Sequence, residues 1–199
     1  MPKLNQYFTP NSMSNKKSRR SIRYKNHDYS AGGSYFITIC SINREHIFGE
    51  IIDERIHLSY LGSIIEKEWL NIPSRFVSVE LSTFQIMPNH LHAIIHINKN
   101  RIQDDKAALK FSKHTLLGNI IGSFKSLVFQ TFYKYLKDND LIQKQSAKIW
   151  QRNYWEHIIR FENELYKCQQ YIVSNPEKWS KDADNLEKLL LRMEEKSAS

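Results

Sequence analysis

The chain has 199 residues, a length that suits one domain with flanking extensions better than two full domains. With 41% hydrophobic residues it can fill a core unaided, and Cys40 and Cys168, both in apolar stretches, read as free thiols of a reducing, cytoplasmic compartment, not a secreted disulfide scaffold. Residues 1–30 lack the apolar run of a signal peptide and no stretch approaches the ~20 residues of a membrane span, so the net charge of +8 points to a soluble protein with a polyanionic partner and no membrane.

Residues 1–20 are rich in Asn, Ser and Lys and predict a disordered basic arm. Gly32-Gly33 punctuates the start of the fold, and residues 34–42 (SYFITICSI) predict a strand covered on both faces. Residues 48–59 turn at Asp53-Glu54 and predict a short hairpin. Leu61, Ile64, Ile65, Glu68 and Trp69 follow helical spacing, with Pro73 as the boundary. Residues 79–87 and 90–97 predict two more strands around Pro88-Asn89, and residues 98–112 a polar loop.

Leu116, Ile120, Phe124 and Leu127 or Val128 recur at helical spacing, which predicts a long helix to about residue 136. A polar turn over 137–146 leads to the aromatic segment 149–160. Phe161, Leu165, Cys168 and Ile172 share one face of a further helix, and Leu186, Leu189, Leu190 and Met193 mark a last one over 182–196. Strand pairs interrupted by helices predict an α+β sandwich, an antiparallel sheet with helices packed on one face.

Charge is unevenly placed along this order. Residues 1–30 carry seven Lys/Arg against Asp28 alone, and residues 101–160 carry eleven against five, while the two remaining stretches are each −2. Tyrosine interleaves with cations in both basic stretches, as at Arg23-Tyr24 and Tyr133-Lys134-Tyr135. Aromatic faces stack on unpaired bases and cations track phosphates, so the pattern favours nucleic acid.

The densest chemistry lies in Met87-Pro88-Asn89-His90-Leu91-His92-Ala93-Ile94-Ile95-His96. Side chains alternate on a strand, so His90, His92, Ile94 and His96 share a face. Residues two apart stand ~6.5–7 Å apart, close enough for both imidazoles to tilt onto one ion, whereas His96 lies ~13 Å beyond His92. A His-x-His pair also serves simply to line a polar sheet face. Tyr171 and Asn175 are neighbours on one helix face turned away from the apolar stripe, and Pro176 should end that helix near Asn175. An amide oxygen there can coordinate a hard cation with the phenol beside it. By itself the segment is equally an ordinary helix stop.

Five ordered stretches resemble the HUH-type single-tyrosine transposases, in particular the REP-associated tyrosine transposases. They are Gly33-Ser34-Tyr35-Phe36-Ile37-Thr38, Asn43-Arg44, Met87-Pro88-Asn89-His90-Leu91-His92, Ile149-Trp150-Gln151-Arg152-Asn153-Tyr154-Trp155-Glu156-His157-Ile158-Ile159-Arg160 and Tyr171-Ile172-Val173-Ser174-Asn175-Pro176. The resemblance implies a ferredoxin-like fold over residues 21–180, with residues 181–199 a C-terminal helical extension. It implies His90 and His92 as metal ligands and Tyr171 as the nucleophile that becomes attached to a DNA 5′ end. Asn175 takes the third ligand place, where more distant single-tyrosine transposases carry Gln. The implied cofactor is Mg²⁺ or Mn²⁺, the substrate single-stranded or hairpin DNA, and the activity nicking and rejoining near hairpins.

Lys125, Arg152 and Arg160 are candidate phosphate contacts, and Arg19, Arg20 and Arg23 form an arm suited to a groove. Tyr154 is a rival nucleophile whose aromatic setting better suits base stacking. His157 reads as a satisfied histidine, with a DNA contact or a role behind the site as the alternatives. A non-catalytic hairpin-binding descendant of such a transposase is the second functional reading. An RNA-binding domain ranks third, for want of the paired aromatic sheet motif. If Tyr171 meets the histidines of its own chain a monomer suffices; otherwise a swapped homodimer is required.

Overall fold

A computed structural model describes residues 32–105, 115–141 and 148–179. The arm with Arg19, Arg20 and Arg23, and the last helix over 182–196, lie outside the described residues. Strand β1 (Gly33–Cys40) is buried on both faces, as its β-branched and aromatic content predicts. A short 3-10 turn, Ile42–Arg44, follows. Strands β2 (Gly49–Ile52) and β3 (Arg55–Leu58) form a separate hairpin, with Asp53 and Glu54 at φ 50° and 61°. Two left-handed residues are what a two-residue turn between twisted strands requires.

Helix α1 (Tyr60–Leu70) starts where the Ser59 side chain accepts the Gly62 N–H, and Asn71 ends it. Pro73 sits in the first turn of a short helix α2 (Ile72–Arg75), where its missing N–H does no harm. Strands β4 (Val79–Met87) and β5 (His90–Ile97) match their predicted bounds, with a register irregularity between Leu81 and Phe84. The segment expected as loop contains a 3-10 helix, Lys99–Asp104. Asp105 is buried and bonded through its carboxylate to the Ser78 N–H and hydroxyl, which ties that segment back to the start of β4. Helix α3 (Leu116–Asp138), strand β6 (Trp155–Ile159), helix α4 (Glu162–Val173) and a single-turn helix α5 (Asn175–Lys178) complete the chain order.

The main sheet has the order β4-β5-β1-β6, every neighbouring pair antiparallel. Strand, helix, strand, strand, helix, strand in that order is the ferredoxin-like arrangement, here with the β2–β3 hairpin set between β1 and α1. On one face α1 and α3 pack against Tyr35, Ile37, Ile39, Leu91, Ala93 and Ile95, with Trp69 edge-on to Phe124 at 5.3 Å.

The α+β sandwich is as expected, with one correction: the helices do not all lie on one face. Helix α4 covers the opposite face, where Phe36, Ile94 and Ile159 meet Cys168 and Ile172 in a second cluster. Central strands apolar on both sides need a layer on each. A smaller correction concerns Phe161, which caps α4 and is 62% exposed instead of joining its buried stripe.

Candidate active site

Strand alternation places His90, His92, Ile94 and His96 on the α4 face of β5. The Nε2 atoms of His90 and His92 lie 2.8 Å apart, with ring centroids at 4.2 Å. Each ring is held at its other nitrogen: His90 Nδ1 lies 2.7 Å from Asn89 Oδ1, and His92 Nδ1 lies 2.9 Å from Thr38 Oγ1. Thr38 reaches His92 because the β1–β5 register sets the two directly opposite.

Burial pushes the His90 imidazole down to about 3, helped by the neighbouring Arg44 and His46. Burial likewise holds His92 well below the usual range, with His90 and Arg44 adding to the effect. Both rings are therefore neutral at neutral pH and keep a lone pair for a Lewis acid.

Tyr171, on α4, brings its ring centroid to 5.3 Å from that of His92 and 6.1 Å from that of Phe36. The sequence places this residue away from the apolar stripe; in the structure it packs on the edge of the second cluster, against Phe36. Helix α4 ends at Val173, and Ser174 passes the chain into α5. Asn175 opens α5 and is 2% exposed. Trp179 follows it, 6.0 Å from His90 and 5.4 Å from His46 between ring centroids. Phenol and imidazoles thus meet within one chain.

The start of α4 is pinned to β6. Buried His157 lies 2.6 Å from Glu164 Oε1, and Glu164 Oε2 accepts the Arg160 backbone N–H at 2.8 Å. His96 stands apart from the pair, with its Nδ1 2.6 Å from Ser34 Oγ. Lys125 donates to the Gln151 and Asn153 carbonyls at 3.0 and 3.1 Å, which makes it a tie between α3 and the 149–160 segment. Arg152 and Arg160 are exposed, and Tyr154 is partly buried against the main core.

The donor set fits one divalent cation. Two neutral imidazoles converge through Nε2 and each Nδ1 is engaged behind, the arrangement that orients histidine ligands in metal sites. Among the described residues no cluster of three or more His, Cys, Asp or Glu is suited to a metal. Sequence reasoning missed Thr38, Asn89, Arg44, His46 and Trp179 as neighbours of the site. Thr38, Arg44 and Asn89 had a signal, their place in the quoted stretches, whereas His46 and Trp179 arrive through tertiary packing.

Among the described residues no helix is long and apolar enough to cross a membrane. No protein-family model matches the chain. An uncharacterized protein of Haemophilus influenzae is 38% identical over 173 residues, covering 82% of this chain and 91% of that protein. A second Haemophilus influenzae protein, assigned to the REP-associated tyrosine transposases, is 27% identical over 153 residues, covering 76% of this chain and 74% of that protein. A solved REP-associated tyrosine transposase bound to a REP hairpin aligns with a TM-score of 0.48 at 18% identity, over 79% of this chain and 74% of that one. Over most of its length, then, the chain resembles a REP-associated tyrosine transposase in sequence.

Proposed function

We propose that this protein is a divalent-metal-dependent single-strand DNA transposase and endonuclease that nicks and rejoins DNA near hairpins, with Tyr171 as its nucleophile. One observation carries the reading: the Tyr171 ring lies 5.3 Å from the ring of His92, whose Nε2 faces that of His90 at 2.8 Å. His90 and His92 would hold the ion, with the Asn175 amide as third ligand. Hard, octahedral cations such as Mg²⁺ or Mn²⁺ suit a site that also takes phosphate oxygens, Mn²⁺ tolerating nitrogen better. When bound, such an ion neutralises the scissile phosphate and fixes it for in-line attack.

The protein's own part is to aim the nucleophile. A phenol with an ordinary pKa of ~10 is weak at neutral pH, so placement matters more than intrinsic reactivity. Tyr171 Oη forms a bond to phosphorus as the bond to the 3′ oxygen breaks. The phenol gives up its proton, the leaving oxygen gains one, and the products are a 5′-phosphotyrosine and a 3′-OH. One phosphodiester replaces another, so attack by a 3′-OH reseals the strand without ATP. Phe36 and Ile94 floor the site with apolar surface, and the Arg44 charge adds a positive field. Arg152, Arg160 and the arm with Arg19, Arg20 and Arg23 would track phosphates, whereas Tyr154 packs on the main core.

Incubation with a hairpin-bearing single strand and Mn²⁺ should yield a protein–DNA adduct that survives SDS. Tyr171→Phe should abolish it, and an adduct persisting in that variant would move the nucleophile elsewhere. His90→Ala with His92→Ala should abolish cleavage while sparing hairpin binding. Salt-sensitive binding by the wild type with no metal requirement and no adduct would favour the non-catalytic reading instead.

A further inference from the structure

The two imidazoles are supported from behind by groups of different chemistry. Behind His90 stands an amide, and behind His92 a hydroxyl. A primary amide has a fixed donor end and a fixed acceptor end, whereas a hydroxyl serves as either by rotating.

The orientation of the Asn89 amide follows from its other partner. Its Nδ2 donates to the Arg44 backbone carbonyl at 3.3 Å. A carbonyl only accepts, so the reversed amide would set two oxygens against each other. Asn89 Oδ1 must therefore be the atom that meets His90 Nδ1 at 2.7 Å, and because that oxygen only accepts, Nδ1 carries the proton. The surroundings hold this arrangement. Asn43 and Arg44 both lie at positive φ, 49° and 57°, in the turn that presents the Arg44 carbonyl. The Asn89 carbonyl accepts the Ser41 N–H at 2.8 Å, and Asn89 is 8% exposed.

A protonated Nδ1 leaves a lone pair on His90 Nε2. That atom stands 2.8 Å from His92 Nε2, and at that distance one of the two nitrogens must donate. His90 cannot, so in the metal-free protein His92 carries its proton on Nε2 and accepts from the Thr38 hydroxyl at Nδ1. A cation between the rings would need the His92 Nε2 lone pair as well. The Nε2 proton is then lost to solvent, Nδ1 gains one, and the Thr38 hydroxyl turns from donor to acceptor, with no net change of charge on the ring.

We infer that Asn89 and Thr38 are unequal positioning residues: Asn89 locks His90 in the metal-ready Nδ1–H tautomer, and Thr38 lets His92 exchange tautomers when a divalent ion enters. The second half rests on the metal-site reading above; the first half does not.

Imidazole ¹⁵N resonances of the full chain at neutral pH test both halves. Without metal, His90 should read as Nδ1–H and His92 as Nε2–H. Zn²⁺, a diamagnetic probe that binds imidazole, should move the His92 proton to Nδ1 and leave the His90 proton on Nδ1. Asn89→Leu should mix the His90 tautomers and weaken Zn²⁺ binding roughly 10–100-fold, the usual scale for losing such a support. Asn89→Asp, which keeps the acceptor, should preserve the Nδ1–H state. Thr38→Val should leave His90 unchanged and weaken Zn²⁺ binding.

An Nε2–H His90 in the wild type, or a His90 unmoved by Asn89→Leu, overturns the lock. Tautomers as stated with no response to Zn²⁺ would sustain the lock, overturn the exchange at His92 and remove the metal site. Normal Zn²⁺ binding with a wrong His90 tautomer would keep the metal site and overturn both the lock and the exchange at His92.

Discussion

The two faces of the sheet are built from the same strands and differ in what fills them. Among the described residues, twenty-four buried hydrophobic side chains form the cluster under α1 and α3, against five in the cluster under α4. Along β5 the contrast is residue by residue: Leu91, Ala93, Ile95 and Ile97 point to the large cluster, while His90, His92 and His96 share the other side with Ile94. Apolar burial at ~25 cal/mol per Å² makes the first face the main source of stability. The second face gives up apolar area to paired imidazoles and a phenol, which a strand hydrogen-bonded on both edges can hold in register. Stability and chemistry are divided across one layer.

The largest expected effect tests the first half of that division. Trp69, fully buried and edge-on to Phe124, should lose about 3–5 kcal/mol on Trp69→Ala, measured by urea unfolding. Tyr171→Phe keeps the ring on Phe36 and removes one hydroxyl, so it should cost no more than ~1.5 kcal/mol while abolishing the DNA adduct. A Tyr171→Phe protein destabilised as much as Trp69→Ala would erase the contrast.

Gly62 gives the next effect. A Cβ there would stand 2.0 Å from the Phe48 carbonyl oxygen, so Gly62→Ala should cost about 1–3 kcal/mol by forcing α1 off the hairpin. Gly122 sits inside α3, where a Cβ would meet nothing within 4 Å, so Gly122→Ala should instead stabilise by about 0.5–1 kcal/mol.

The smallest effect is one of pH. Burial lowers Lys125 to about 8 from an ordinary 10.5, partly offset by Cys40. Below pH 8 both folded and unfolded chains hold the proton and the folded state bears the full burial penalty. Between these values the unfolded chain binds more proton, so this residue's contribution to stability improves as pH rises. Comparing wild type with Lys125→Met at pH 7 and pH 10 isolates that rise, and an equal stability difference at both pH values would contradict it.

Much of the fold was legible locally. Periodicity placed β4 and β5 to the residue, and Asp53-Glu54 marked the hairpin turn, because alternation and turn chemistry act over a few residues. Strand order was not legible, since the pairing of β1 with both β5 and β6 joins residues far apart in the chain. For the same reason Thr38 gave no sign of lying opposite His92. At the site, His90, His92 and Tyr171 were nominated by motif and the structure brings them together, but the support behind His90 depends on a left-handed turn at Arg44 that only Asn43, a residue tolerant of that backbone, hints at. Lys125, nominated for phosphate, binds two carbonyls of its own chain, a partner that charge patterning cannot foresee.

Phenol and imidazoles belong to one polypeptide, with Tyr171 beside His92. A genetic consequence follows. On the proposed mechanism, two defective alleles in one cell, one lacking His92 and one lacking Tyr171, would yield products that cannot repair each other. An assembly that traded helices between subunits would instead rebuild one working centre from two broken genes.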